Sequence, residues 1–289
     1  MTDVELTHVK VKRAMSPQEA DAYVGQMVPE LEPKMPHAGP VLLHDDDGPV
    51  MIYRPLPHIA ELRQAILRTD MQTTYRSSGI TNLSRTFGMA PRKPIQWREG
   101  CAPTSLARDE PDIMNVLTWY AGVLRDILHT TLPDIEAMGQ HALAPVLPEW
   151  RLTDDSLWTS GVINKSSQLP YHRDRFNFDA WSAMPVLRRG ARGGYLAVPE
   201  YDMVVPCRDG WGLFWSGYRL VHGVTPIHAK EKDAYRFTVV YYALKGMKDC
   251  HTAAKELEYA QKKRTEREQA SERPPQAHQD DDGNPYGDF

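Results

Sequence analysis

From Trp158 onward the chain offers only short β-forming runs, and this constrains its fold more than any other feature. Apolar or β-branched runs at 158–163, 181–187, 195–198, 203–205, 212–215 and 236–244 are separated by turn clusters such as Arg189-Gly190-Ala191-Arg192-Gly193-Gly194 and Cys207-Arg208-Asp209-Gly210. Short strands closely spaced by turn residues predict a jelly roll, a double-stranded β-helix of two facing sheets. Phe237-Thr238-Val239-Val240-Tyr241-Tyr242 is the strongest β-former run in the protein. Gly193-Gly194 reads as a tight strand connection, because neither a Lys-Ser/Thr pair nor a helix follows it as a phosphate loop requires.

Helical periods precede this region. Ser16-Pro17-Gln18-Glu19 is a capping box with proline at the first helical position, predicting a short helix to about Met27. Ile59, Leu62 and Ile66 mark a second helix after Pro57. The clearest helix, 111–129, carries Ile113, Val116, Leu117, Tyr120, Leu124, Ile127 and Leu128 on one apolar stripe, with Asp109, Glu110 and Asp112 at its positive end. It is expected to pack on a sheet and to carry no chemistry. The fold class is therefore α+β: a jelly-roll core with packing helices N-terminal to it and a C-terminal helix plus tail. The expected organisation is a helical and hairpin extension at 1–84, a core at 85–249, and a basic helix from Ala253 to about Gln269 leading into an acidic tail that is expected to be disordered.

The formal charge of −4 sits in that tail, where five of the 38 acidic residues but one of the 34 basic ones fall between Ala270 and Phe289. The neutral body holds basic groups at Arg85, Arg92, Lys93 and Arg98, at Arg188, Arg189 and Arg192, and at Lys262, Lys263, Arg264 and Arg267, each a phosphate contact or a solvated face. With 41% apolar residues, no stretch near the length of a membrane span and no signal-peptide core after Met1, a soluble cytoplasmic protein is expected. Cys101, Cys207 and Cys250 lie far apart without a Cys-x-x-Cys, so reduced thiols are expected, with neither a disulfide framework nor a zinc knuckle.

Against this background, Tyr171-His172-Arg173-Asp174 and Leu220-Val221-His222-Gly223 stand out. In an extended segment residues i and i+2 share a face, so His172 and Asp174 can reach one metal while Arg173 points away. His222 would add a third ligand from another strand, giving the two imidazoles and one carboxylate that a non-haem Fe(II) oxygenase needs. Arg236 opens the strongest strand, and an arginine buried there requires a carboxylate partner. His44-Asp45-Asp46 also spells His-x-Asp, but it runs into Asp47-Gly48-Pro49 between apolar runs and is expected to be a hairpin turn.

These segments resemble the TET/JBP family of 2-oxoglutarate- and Fe(II)-dependent DNA base dioxygenases. The likeness is carried by Thr159-Ser160-Gly161-Val162-Ile163-Asn164-Lys165, Leu169-Pro170-Tyr171-His172-Arg173-Asp174-Arg175-Phe176-Asn177, Gly193-Gly194-Tyr195-Leu196-Ala197-Val198-Pro199-Glu200-Tyr201, Leu220-Val221-His222-Gly223-Val224-Thr225-Pro226 and Tyr235-Arg236-Phe237-Thr238. With Phe87-Gly88-Met89-Ala90-Pro91-Arg92 and Cys101-Ala102-Pro103-Thr104 it spans about 85–247, and the bacteriophage and fungal-type members look most similar. The resemblance implies iron ligands at His172, Asp174 and His222, and an arginine at Arg236 that holds the distal carboxylate of 2-oxoglutarate with support from Thr238. It also implies a base-contacting amide at Asn177 and a base-stacking ring at Tyr242. Leu244 stands where the animal enzymes carry a second base-contacting histidine, and their cysteine-rich region is absent. The implied reactants are Fe(II), 2-oxoglutarate and O2, with ascorbate as reductant in vitro. The implied partner is DNA containing a modified base, converted from 5-methylcytosine to 5-hydroxymethylcytosine. Thymine hydroxylation, a non-DNA hydroxylase and a catalytically silent binding module on the same fold remain open.

Overall fold

A computed structural model describes residues 4–75, 81–93 and 98–269. In chain order it contains β1 (Thr7–Lys10), α1 (Pro17–Asp21), β2 (Val41–Asp45), β3 (Gly48–Pro55), α2 (Ile59–Arg68), β4 (Gln72–Tyr75), β5 (Thr81–Ala90), β6 (Ala102–Pro103), α3 (Ser105–Asp109), α4 (Pro111–Thr131) and α5 (Pro133–Ala142). There follow β7 (Ser160–Lys165), β8 (Leu169–His172), β9 (Ser182–Arg189), β10 (Ala191–Gly193), β11 (Leu196–Val198), β12 (Met203–Val205), β13 (Trp211–Trp215), β14 (His222–Val224), β15 (Ile227–Ala229), β16 (Tyr235–Tyr242) and α6 (Ala253–Gln269). The acidic tail lies outside the described residues. No described helix is long and apolar enough to cross a membrane.

Three layers result. A ten-stranded sheet runs β1-β2-β3-β13-β9-β16-β7-β5-β4, with β6 on β5, and a four-stranded sheet runs β12-β11-β14-β8. Strand β16 shows how sequence alternation builds the layers. Phe237, Val239 and Tyr241 join α2 and α4 in a core that includes Leu62, Ile66, Leu117, Tyr120 and Leu124. Val240 and Tyr242 face the other way and pack with Leu196, Val198, Val224 and Trp215 between the two sheets. The two-residue side-chain period of a strand thus serves two cores at once. Helix α4 docks through its apolar stripe, and the Tyr241 hydroxyl donates to Leu117 O at 3.1 Å across the layer. This is the α+β architecture of a double-stranded β-helix, as the strand spacing predicts.

Two expectations need correction. The capping box at Ser16 is present, but α1 ends at Asp21 rather than near Met27. Beyond it Gly25 N donates to Tyr171 O and Tyr171 N to Gln26 O, so pairing with β8 outcompetes further helix. The thiols of Cys101 and Cys250 are joined in a disulfide across 149 residues of sequence, and Cys207 alone stays free. No local spacing signals that pair. It forms because β6 and the segment leading into α6 meet in a small cluster with Val146, Trp150 and Met247. The His44 segment behaves as expected: β2 and β3 form an antiparallel hairpin, and β3 continues the large sheet by pairing with β13.

Candidate active site

The two candidate ligand histidines come from adjacent strands of the small sheet. Strands β8 and β14 are antiparallel, and His172 and His222 are direct register partners. Their rings lie 4.3 Å apart between centroids. His172 Nδ1 bonds Pro170 O at 2.8 Å, and His222 Nδ1 bonds Leu220 O at 2.9 Å. A carbonyl can only accept, so each Nδ1 carries the proton and each Nε2 presents its lone pair inward. Asp174 completes the set: its Oδ1 is 3.7 Å from His172 Nε2 and its Oδ2 is 3.9 Å from His222 Nε2. All the ligand atoms fall within 4.8 Å of one another, and all three residues are buried. Ligand bonds of about 2.1 Å place neighbouring donors on the order of 3 Å apart, so a contraction of under about 2 Å closes the set on an ion.

Surrounding groups fix the two ligand segments to each other. Arg173 turns away from the ligands as i, i+2 alternation requires, donating from Nε to Asp21 Oδ1 at 2.6 Å and from Nη2 to Pro17 O at 2.9 Å. Its Nη2 also lies 3.0 Å from Glu200 Oε1, which accepts the Val221 N–H at 2.8 Å. One buried ion pair therefore joins the residue between His172 and Asp174 to the residue before His222. Glu200 is fully buried; burial pushes its carboxyl up, opposed by the Val221 N–H and by Arg173. From the other side, Gly217 O accepts the Asp174 N–H at 2.9 Å. A Cβ on Gly217 would stand 2.2 Å from Asp174 Oδ2, so the carboxylate occupies space that only glycine leaves.

A small cavity opens from the histidines between the two sheets, lined among others by Asn164, Trp215, Arg236 and Thr238. Arg236 is 1% exposed, and its Nε and Nη2 have no hydrogen-bond partner among the described residues. Burial pushes its guanidinium below the usual value, opposed by the Cys207 thiol against it. Two orphaned donors on a buried cation are costly unless a carboxylate meets them. The Trp215 indole N–H and Asn164 Oδ1 are likewise unpaired among the described residues. Gly194, at φ +65°, shapes the cavity end, because a Cβ there would lie 2.6 Å from Arg236 Nε. The donor set and the orphaned Arg236 donors fit Fe(II) chelated by a small dicarboxylate such as 2-oxoglutarate.

The remaining expected site residues lie at one end of this sheet face. Tyr242 follows Arg236, Thr238 and Val240 on the same face of β16, but it is 1% exposed within the inter-sheet core and does not line the cavity. Asn177 is buried and forms an isolated antiparallel bridge with Leu244. Tyr242, Leu244 and Asn177 therefore share one neighbourhood, beyond the turn in which Asn177 N donates to Asp174 O at 3.0 Å. Sequence reasoning assigns no role to Glu200, Gly217, Asn164 or Trp215. Glu200 follows a predicted strand in Pro199-Glu200-Tyr201, where a buried acid invites a search for its partner. Gly217 gives no such signal, since its need is purely steric and long-range.

No protein-family model matches the sequence, and no curated protein matches it. Solved structures do. NgTET1 in complex with 5mC DNA aligns with 86% of this chain and 100% of its own at 14% identity and a TM-score of 0.55. An oxidoreductase of the 2OG-Fe(II) oxygenase family from Burkholderia pseudomallei aligns with 83% of this chain and 95% of its own at 15% identity and a TM-score of 0.39. The chain thus shares the double-stranded β-helix fold of NgTET1, and on that fold it carries a buried His-x-Asp and His ligand set.

Proposed function

We propose that this chain is an Fe(II)- and 2-oxoglutarate-dependent dioxygenase that hydroxylates the methyl group of 5-methylcytosine in DNA, acting on a base flipped out of the duplex. The observation that carries the oxygenase reading is the cavity that His172, His222 and Arg236 line together, Arg236 keeping two donors unpaired among the described residues. Bound there, Fe(II) with 2-oxoglutarate and O2 supplies an oxidant for C–H hydroxylation, the keto acid leaving as succinate and CO2. Arg236 clamps the distal carboxylate by charge-assisted hydrogen bonds, and the Thr238 hydroxyl, on the same strand face, supports it. The apolar walls Leu196, Val224 and Val240 exclude water and so strengthen that clamp. Residues 85–249 form the catalytic unit, with the flanking segments bracing it.

For the substrate, support comes from the fold shared with NgTET1, solved with 5mC DNA, and from the His-Arg-Asp-x-x-Asn run. Asn177 is the amide nearest in sequence to the ligands that can serve the 4-position of the ring, whereas Tyr242, packed in the inter-sheet core, would reach a base only with a shift of that packing. A base methyl within a duplex cannot reach a buried site, so flipping is required, at a cost of a few kcal/mol that these contacts offset.

The test is nucleoside mass spectrometry after incubation with Fe(II), 2-oxoglutarate and ascorbate on two DNAs, one containing 5-methylcytosine and one with the four unmodified bases. Hydroxymethylcytosine from the first alone is expected. Hydroxymethyluracil from both would make thymine the substrate, and succinate without any DNA product would remove DNA from the reading. Absence of succinate as well would leave a silent binding fold.

A further inference from the structure

Phe176 stands two residues beyond the ligand Asp174, so its Cα lies within about 7 Å of that residue's Cα. Its neighbours in sequence are unlike in burial: Asn177 is 5% exposed, whereas Phe176 is 52% exposed. The backbone that presents this ring is held firmly. Asn177 N bonds Asp174 O, Lys245 N donates to Phe176 O at 2.8 Å, and Phe178 N donates to Ala243 O at 2.8 Å. An aromatic ring is thus held out to solvent at the edge of the ligand set by hydrogen bonds on both sides.

Arg175 precedes it in the chain, and Lys245 is bonded to its carbonyl through the backbone. The Lys245 ammonium donates to Arg175 O at 3.0 Å and lies 4.1 Å from the centre of the Tyr218 ring. The side chains of Arg175 and Arg219 are 64% and 59% exposed. Asp21 and Asp179 lie against these arginines, while among the described residues the Lys245 ammonium meets the Arg175 carbonyl and the Tyr218 ring. An exposed ring beside Arg175 and Lys245 has the chemistry of a duplex contact, with an apolar wedge for the base stack and positive groups for the phosphates beside it.

We infer that Phe176 is the wedge that enters the space a target base leaves when it flips, with Lys245 and Arg175 against the flanking phosphates. The inference rests on the DNA reading above and deepens it. The ring replaces stacking lost by the neighbouring bases, so it matters only where there is a stack to open. A residue that contacted the flipped base itself would matter on single strands as well.

The experiment compares the full chain with Phe176→Ala and Phe176→Leu, and with Leu257→Ala, which alters an exposed apolar side chain on α6 far along the sequence. Oxidation of 5-methylcytosine is measured in a paired duplex and in the same strand alone. The duplex-to-single-strand rate ratio should fall at least tenfold in Phe176→Ala, recover largely in Phe176→Leu, and stay unchanged in Leu257→Ala. Fluorescence of 2-aminopurine beside the target base, read with enzyme bound and without turnover, should rise with the parent protein and not with Phe176→Ala. A ratio unchanged in Phe176→Ala, or a loss equal on both substrates, overturns the wedge while leaving the DNA reading intact. A parent protein that releases succinate yet oxidises neither DNA removes both.

Discussion

Replacing Gly217 with alanine isolates what the loop between β13 and β14 does for the proposed metal site. The added Cβ would meet Asp174 Oδ2 at 2.2 Å, Asp174 Cγ at 3.1 Å and His222 Cε1 at 3.4 Å. Gly217 is not among the positive-φ glycines, so alanine is acceptable to the backbone and the conflict is steric. Restoring ordinary contact needs a displacement of about 1 Å, whereas metal sites tolerate about 0.2 Å in their bond lengths. Overpacking of this kind costs about 1–3 kcal/mol of folding stability, which the chain can absorb. The carboxylate, being the movable partner, should leave its place. We expect metal binding to weaken about ten- to hundredfold, the loss typical when support of a ligand fails, or about 1.4–2.7 kcal/mol. The assay is anaerobic calorimetric titration with Fe(II) in the presence of 2-oxoglutarate, alongside thermal unfolding. Gly122→Ala on α4, where a Cβ meets nothing within 4 Å, is the control and should bind metal as the parent does. A Gly217→Ala protein that binds Fe(II) within twofold of the parent refutes the cradle argument.

Arg236→Met should raise the KM for 2-oxoglutarate at least about thirtyfold, since losing one member of a buried charge pair costs 2 kcal/mol or more. The same change should leave the melting temperature of the ligand-free protein unchanged or higher, because it removes a buried cation with unpaired donors; a marked fall would contradict that account. Asn177→Ala should retain succinate formation uncoupled from DNA while base oxidation falls, and equal loss of both would argue against base reading. Replacing Cys101 and Cys250 together with alanine should lower stability by about 2–4 kcal/mol in urea unfolding, given the long loop the bond closes. Glu256 carries a pH dependence. Burial pushes its carboxyl up, but Arg92 and the N–H groups of Cys101 and His251 outweigh burial and hold it below 4.5. A depressed folded value means that its stabilisation is complete above pH 4.5 and is lost as pH falls through the lower folded value. Trp150, whose indole donates to His251 O at 2.6 Å, should report that loss by fluorescence, and Glu256→Gln should remove the acid limb.

Period and spacing marked six of the ten strands from β7 to β16; β8, β10, β14 and β15 are too short to show a period, and β10 lies in the Arg189–Gly194 segment expected to be a turn. Residues 203–205 form β12 as expected, and the edges of β7, β9, β11, β13 and β16 move by no more than two residues. Helices α4 and α6 follow from an amphipathic stripe and a charged run of sufficient length. The shortened α1 was not legible, because the competing partner, β8, lies some 150 residues away in sequence. Helices α3 and α5 were equally hidden, since each is short and its apolar positions are filled by tertiary contact rather than by periodicity.

What the sequence determined by itself is chemistry held by local geometry. His172 and Asp174 share a site because backbone alternation makes i and i+2 neighbours, Arg173 is turned away from them for the same reason, and the strand-forming run at 235–242 buries the arginine near its start. Tertiary structure alone decided the rest. It set His222 opposite His172, joined the two ligand segments through Arg173 and Glu200, gave Asp174 the space beside Gly217, and brought Cys101 to Cys250. Each of these depends on strand register or close packing between distant segments. Local propensity cannot encode such contacts, because their free energy exists only once both segments are in place.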